Sequence, residues 1–531
     1  MNRILQNFTT SLSRREQQRT WLEKNNLFLG DIHNHCNISY GYGKLENAID
    51  FAKQQLDFFS VTGHFAWPDM EAFPDRTIPP EVVDYHKKGF AKLRKNWPEY
   101  MDLMQKTEKK DFVPFLSYEF HSFFYGDYTV VCKYLNENLP AEVSKGKDDT
   151  RLKELIAHND ARESNLLPIP HHIGYKSGYR GINWEEFNDQ ASPLVEICSM
   201  HGCAESHESS LEYLHTMGPR NKFNTMQGGL AKGNIFGVTA STDHHNASPG
   251  SYGFGRTGLW VENLDRRTIW EGLIGRRTIA FTGDKIDVAL FVDDMPMGTV
   301  LENRGGSHAL DAYIAGLDAI EKVEVVKDNQ VIHTARPLVS PLMDNDTLHG
   351  FVGLCVGWGK KYSPCDWNVQ VAVQQGELLS YSPRLRGEDM VDPLNIPKDI
   401  AKPHCFKQED CIHLTCQTEG NTTPTTNGTQ GFVLEVQGTA DSVVSVQIEA
   451  VWNGEVITKK YRYKLQDLQQ GPESEYIKGF VSPALFVSEF VPIAKSLVEI
   501  HEDIVSEGTS FVYLRVFQKN KDVAYSSPIW F

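Results

Sequence analysis

A chain of 531 residues is long enough for two or three cores, and its 40% apolar and 23% charged composition is that of a globular protein. A formal net charge of -16 excludes a general basic field for nucleic acid or an anionic membrane, so an anionic substrate has to be drawn in by local cations, bound metal ions among them. The sequence holds no apolar run of about 18 residues or more, its first residues lack the apolar core of a secretory signal, and its nine cysteines are scattered. These features predict a cytoplasmic protein with no membrane partner.

In chain order, "NLFLGDIH" reads as a buried strand, Leu45, Ala48, Ile49, Ala52 and Leu56 recur at helical spacing, and "DFFSVTGH" reads as a second strand. This is a βαβ unit. Residues 66–110 interrupt the rhythm with prolines, Trp67, Trp97 and a helical "EVVDYHKKGFAKLRKNW", and are read as a helical insertion covering one end of the domain. Further strands are expected in "FVPFLSYEF", "NLLPIPHH", "PLVEICSMH", "NIFGVTASTDHH" and "TGLWVENL", then a helix in "DRRTIWEGLIGRR" and a strand in "TIAFTGD". Strand–helix alternation over residues 1–285 predicts an α/β domain, either a barrel or an open parallel sheet. From 286 to 531 the pattern changes to period-two alternation, with Asn453-Gly454 as a hairpin turn, which predicts an all-β, sandwich-like domain. A Thr/Gly/Asn-rich loop falls near 416–431, and a helical excursion is expected over 483–505.

Metal-capable residues in the first half stand where apolar strands end. His33 and His35 close the first strand and His64 the second; Glu119, the His171/His172 pair, His201, and Asp243 with His245 close four more. The carboxyl ends of parallel strands share one face, so these residues converge there. Residues i and i+2 of a strand point the same way, so His33 with His35 and Asp243 with His245 each present two ligands together. Imidazole and carboxylate donors suit Zn, Mn or Fe. A lone strand-end histidine is usually structural; six successive strand ends carrying ligands point to a metal centre.

The order H-x-H, T-x-H, E, H, H, D-x-H, carried on "DIHNH", "VTGH", "SYEF", "IPHH", "SMHG" and "STDHH", resembles the PHP (polymerase and histidinol phosphatase) superfamily. The stretch "GFGRTGLWVENLDRRTIWEGLIGRRTIAFTGDKI" and the terminal "SSPIWF" are similar to a large bacterial PHP-related family of unassigned function. The resemblance implies a distorted (β/α)7 barrel holding two to three divalent ions. It implies a first ion on His33, His35, Glu119 and Asp243, a second on Glu119, His171 and His201, and a third on His64 and His245. The doubled histidine leaves His171 and His172 as alternatives. Tyr40 stands where the superfamily often has a third-ion ligand, and Gly63 replaces the usual Asp of T-D-H; both departures weaken the third site.

The expected chemistry is metal-assisted hydrolysis of a phosphoester, in which cations lower the pKa of bound water and neutralise phosphoryl oxygens. Glu119 and Asp243 act as catalytic ligands, and Arg256 is a candidate catalytic cation at the mouth. Arg180, Lys176, Tyr40 and His244 are candidates for holding a small or phosphorylated substrate, with Tyr42, Glu205 and His207 nearby. Asp31 is read either as support for an imidazole or as a plain strand-end residue. His404, Cys405, Cys411, His413 and Cys416 form a weaker second metal candidate whose spacings match no common zinc pattern. The rival readings are hydrolysis of a C–N or C–O bond and a binding protein without turnover. The β region is a candidate for framing the cleft or for homo-oligomerisation.

Overall fold

A computed structural model describes residues 2–140, 153–209, 218–302, 305–337, 347–387, 402–420 and 428–531. Part of the Thr/Gly/Asn-rich loop (421–427) lies outside the described residues.

The first half builds, in chain order, β1 (Asn26–Asp31), α1 (Leu45–Ala52), β2 (Phe58–Ala66), α2 (Pro80–Thr107), β3 (Val113–Phe120), β4 (Tyr128–Cys132), β5 (Leu166–Pro170), β6 (Leu194–Ser199), β7 (Gly237–Ala240), β8 (Arg256–Val261), α3 (Arg266–Ile274) and β9 (Thr278–Phe281). β2 and β3 are buried along their whole length, which explains their near-continuous apolar sequences. The helix expected as an insertion is the crossover from β2 to the parallel β3. Leu93, Trp97, Tyr100 and Met104 are its core-facing stripe.

The described ladders do not close into a barrel. β1, β2 and β3 are parallel, but β4 is antiparallel to both β3 and β5, and β8 is antiparallel to β1 and β9. β6 and β7 pair in parallel within a separate three-stranded sheet. The short Tyr128–Cys132 strand, which no sequence signal announces, reverses direction between β3 and β5. The result is a mixed α/β architecture around an open, twelve-stranded sheet, with β6 and β7 in a sheet of their own. β5 still points the same way as β3, because both oppose β4.

That sheet continues past residue 285: β9 pairs with Val523–Ser526, which pairs with Phe511–Gln518, and this in turn with Ile320–Lys327. A four-stranded sheet includes Asp287–Val292, Gly306–Ala315 and Leu497–Ser506. A nine-stranded antiparallel sheet is built on the long Cys365–Arg384 and Gln430–Trp452 strands. Asn453 and Gly454 both take positive φ (52° and 76°), as a two-residue I′ hairpin turn requires. The helix expected over 483–505 is absent. Val498, Ile500 and Ile504 instead alternate inward on a strand paired with Gly306–Ala315, after one 3-10 turn at Ile493–Ser496.

Candidate metal centre

The strand ends converge. His33 and His35 follow β1, and His35 Nε2 lies 3.2 Å from His33 Nε2 and 3.0 Å from Asp243 Oδ1. His33 Nε2 is 3.3 Å from the same oxygen. Three donor atoms at these separations match the edge of a tetrahedron around an ion with ligand distances near 2.0–2.1 Å, about 3.3 Å. His201 Nε2 meets the other Asp243 oxygen at 2.9 Å, and its Nδ1 is 3.1 Å from the Tyr175 hydroxyl.

Glu119 occupies the middle. Its Oε1 is 3.0 Å from His171 Nε2, and its Oε2 is 2.9 Å from His64 Nδ1 and 3.6 Å from His35 Nε2. Four overlapping groups have donor atoms close enough to share a cation: His33–His35–Asp243, His35–His64–His245, His64–Glu119–His121 and Glu119–Asp127–His171–His172. The doubled histidine therefore supplies both rings, His171 to Glu119 and His172 to Asp127, at 3.4 Å. His245 joins through its ring, 4.2 Å centroid to centroid from that of His35.

Every one of these residues is buried except His245, which is partly so. Burial alone lowers a histidine pKa and raises that of a carboxylate. It dominates at His64 and His172, both held well below the ordinary range, and at His171 and His245, lowered to about 4 and about 3 with help from neighbouring His33 and His35. His33 goes the other way. Burial opposes its charge, but the carboxylates of Asp243 and Glu196 prevail and lift it to about 10. Glu119 and Asp243 are buried too, yet the surrounding imidazoles hold both well below the usual carboxylate range.

Residues that the sequence reading passed over complete the shell. Glu196, on β6, lies 3.1 Å from His33 Nδ1 and fixes that ring with Nε2 toward Asp243. Its pKa is pushed up to about 7 by burial, against the pull of His33. A carboxylate inside the apolar run "LVEICS" was the available signal, since such groups stay buried only when paired. His121 is 3.1 Å from His64 Nδ1 and from Asp127 Oδ2. It stands two residues after Glu119, so the i, i+2 rule applied to His33 and His35 also picks it out. Thr129 Oγ1, on β4, is 3.1 Å from His171 Nδ1.

The substrate candidates divide. Tyr40 stacks on His64, centroids 3.5 Å apart, and its hydroxyl is 3.1 Å from His121 Nε2. Arg180 pairs with Asp127, reaches His121 Nδ1 at 2.7 Å and lies over Trp67. Lys176 is exposed, with its ammonium over Tyr179. Arg256 is not at the mouth: it is buried, donating to the Gly250 carbonyl at 2.8 Å and to Gln55 at 2.9 Å, over the Tyr252 ring. It begins β8, and its guanidinium is spent on the back of the Asp243 loop and on Gln55 rather than on the residues of the cluster. His244 is buried with its ring toward Phe254, and its Nδ1 accepts from the Asn246 amide. Asp31 holds backbone rather than an imidazole, accepting from the His33, Thr242 and Gly250 amides and the Thr242 hydroxyl. Glu205 is tied to Tyr513 and Arg515, and His207 is largely exposed.

The second candidate does not assemble. His404 and Cys405 lie on consecutive positions of one antiparallel strand and so face opposite sides, while Cys411, His413 and Cys416 follow on the next. Cys405 and Cys416 are buried in an apolar core, and His413 stacks on Phe406.

The residues of the main centre fit divalent cations. His35 Nδ1, His64 Nε2 and His172 Nδ1 are buried without a hydrogen-bond partner among the described residues. Leaving a buried polar atom unsatisfied costs about 1–3 kcal/mol. Coordination removes that cost for the atoms that face the ions.

No family model matches the chain. It is 26% identical over 207 residues to an uncharacterized protein of Chlamydia trachomatis, and 25% identical over 207 residues to one of Chlamydia muridarum. Each match covers 35% of this chain and 32% of the relative, so the chain spans about a third of the length of these curated relatives. Among solved structures it is similar, at 12% identity and a TM-score of 0.32, to a two-domain protein from Bacteroides vulgatus containing a predicted PHP-like metal-dependent phosphoesterase, over 83% of this chain and 96% of that one. Among the described residues no helix is long and apolar enough to cross a membrane.

Proposed function

We propose that the protein is a metal-dependent hydrolase acting on phosphoesters, related to the PHP superfamily through the histidine and carboxylate motifs described above. The observation that carries this reading is the convergence of donors from five strand ends on one buried cluster, with His201 from a sixth bonded to Asp243 and several buried ring nitrogens left unsatisfied.

His33, His35 and Asp243 would hold one ion; Glu119, His171, His172 and Asp127 a second; and His64 and His245 would contribute to a third. His201 supports Asp243. When bound, divalent ions supply Lewis acidity and lower the pKa of water toward neutrality. Glu119 and Asp243 stay ionised at every physiological pH, so they serve as ligands and not as proton carriers. Glu196 fixes the tautomer and direction of His33. Arg180, steadied by Asp127, and Tyr40, steadied by His121, stand beside the cluster with groups that suit phosphoryl oxygens.

The reading is tested by loading the full chain with Mn or Zn and screening phosphomonoesters and phosphodiesters. Metal-dependent release of phosphate or alcohol, lost in D243N, supports it. Stoichiometric metal with no phosphoesterase activity across the screen overturns it.

One observation favours a second reading, hydrolysis of a C–N or C–O bond. The guanidinium beside the cluster, Arg180, is already neutralised by Asp127, while Arg256 is bound to Gly250 and Gln55 and exposed Lys176 lies over Tyr179. An uncharged carbonyl substrate needs no additional cation. Competitive inhibition by a phosphonate would count against this alternative.

A further inference from the structure

We infer that segments flanking the nine-stranded sheet are a working part of the metal centre: Arg386 and Gly387, just after Cys365–Arg384, and Lys402, just before His404–Gln408, are positioning residues that hold the loop carrying Asp243 and His245. This rests on the metal-centre reading above.

The loop is strained and needs an external hold. Asp243 and Ala247 both sit at positive φ, 51° and 53°. Aspartate tolerates this region, but an alanine there costs on the order of 1 kcal/mol and persists only where its surroundings impose it. From the front, the loop is laced to the chain bearing the other ligands. The Asp243 amide donates to the His33 carbonyl at 2.7 Å, the His35 amide to His244 at 2.8 Å, the Ala247 amide to His35 at 3.0 Å and the Tyr42 amide to His245 at 2.7 Å. Displacing this loop therefore moves His33, His35, Asp243 and His245 together.

From behind, the contacts come from residues more than 130 positions later. Lys402 Nζ donates to the Asn246 carbonyl at 2.8 Å and to Ser248 Oγ at 3.0 Å. Arg386 Nη1 donates to the Tyr252 carbonyl at 2.9 Å, and its guanidinium lies over the Tyr252 ring. The Tyr252 amide donates to the Leu385 carbonyl, and the Gly387 amide to Ser251 Oγ at 2.9 Å. Gly387 is pressed so closely that a Cβ there would stand 2.5 Å from the Ser248 Cβ and 2.6 Å from the His244 Cε1. Cysteine or valine at 387 would have to push the loop forward, into the ligands.

A brace of this kind acts on one part of the centre. The Glu119–Asp127–His171–His172 group is carried by β3, β5 and the turns beyond them, which do not touch Arg386, Gly387 or Lys402 through any of these bonds. Loss of the brace weakens ions held by Asp243 and His245 and spares the ion held by His171 and His172.

The experiment uses the full chain, stripped of metal and titrated with Mn or Zn by calorimetry, with bound metal counted by mass spectrometry. D243N and H171Q serve as references for the two parts of the centre. K402M and G387A are expected to reproduce the D243N pattern in weaker form, with about a tenfold loss of affinity, the range seen when the support of a ligand is removed. K402R is expected to restore wild-type binding, and the thermal midpoint of the metal-free protein is the control. Wild-type titrations from K402M and G387A overturn the inference. So does uniform weakening of both parts with a lowered midpoint, which marks a purely structural role. A wild-type chain that takes up no metal overturns the metal-centre reading itself, and the brace with it.

Discussion

Two sets of metal-capable residues in this chain met opposite fates. The strand-end set, from His33 to His245, is gathered into overlapping buried groups. The later set, from His404 to Cys416, is spread along two antiparallel strands, with Cys405 and Cys416 absorbed by an apolar core. Both sets hold residue types that ligate metals; topology separates them. Strands that run the same way bring their ends to one rim, so donors far apart in sequence meet. On a tight antiparallel hairpin, neighbouring residues point to alternate faces, and closeness in sequence works against convergence.

The sharpest break of this contrast is removal of a ligand at the rim. D243N is expected to remove the ion it shares with His33 and His35 and to leave the one held by His171 and His172, because the carboxylate joins His33, His35 and His201. Metal analysis of the purified variant reads this directly. Next in size is E196Q, expected to weaken metal binding by about 10–100-fold without removing a ligand, since it releases the His33 ring.

Acidity sharpens the comparison further. His33 is held protonated at pH 7, its pKa raised to about 10 by Asp243 and Glu196 against burial, so a metal ion must displace that proton. Affinity is therefore expected to rise with pH between 6 and 8, by about tenfold per unit for one displaced proton. Calorimetry in buffers of different ionisation enthalpy measures the proton released, and E196Q should release less. The same raised pKa contributes stability to the metal-free fold that is present below the ordinary histidine range and lost as pH climbs through about 10. The smallest effect belongs to the other set: C405S and H413A should leave metal content unchanged.

Much of this was legible in the sequence. β1, β2, β3, β5 and β6 lie where apolar runs end in histidine or glutamate, and the hairpin at Asn453-Gly454 follows from backbone chemistry alone. Strand direction was not legible: β4 carries no pattern that marks it as antiparallel. Residues 483–505 misled because Phe486, Val487 and Val491 satisfy a helical spacing locally, whereas their pairing with Leu348–Trp358, and that of Leu497–Ser506 with Gly306–Ala315, are long-range facts. At the site, the ligand candidates were readable from strand-end position. Their support was not: Glu196 reaches His33 across 163 residues, and Lys402 reaches Asn246 across 156. Arg256 shows the limit of inference from neighbourhood, since a short distance in sequence from Asp243 did not bring its guanidinium to the ions.

The most direct measurement is the metal content of the purified full chain, beside that of D243N and of H413A. About two or more divalent ions per wild-type chain are expected, with at least one fewer in D243N and wild-type content in H413A. A wild-type chain without bound metal after loading, or one whose metal follows His413 and not Asp243, contradicts this.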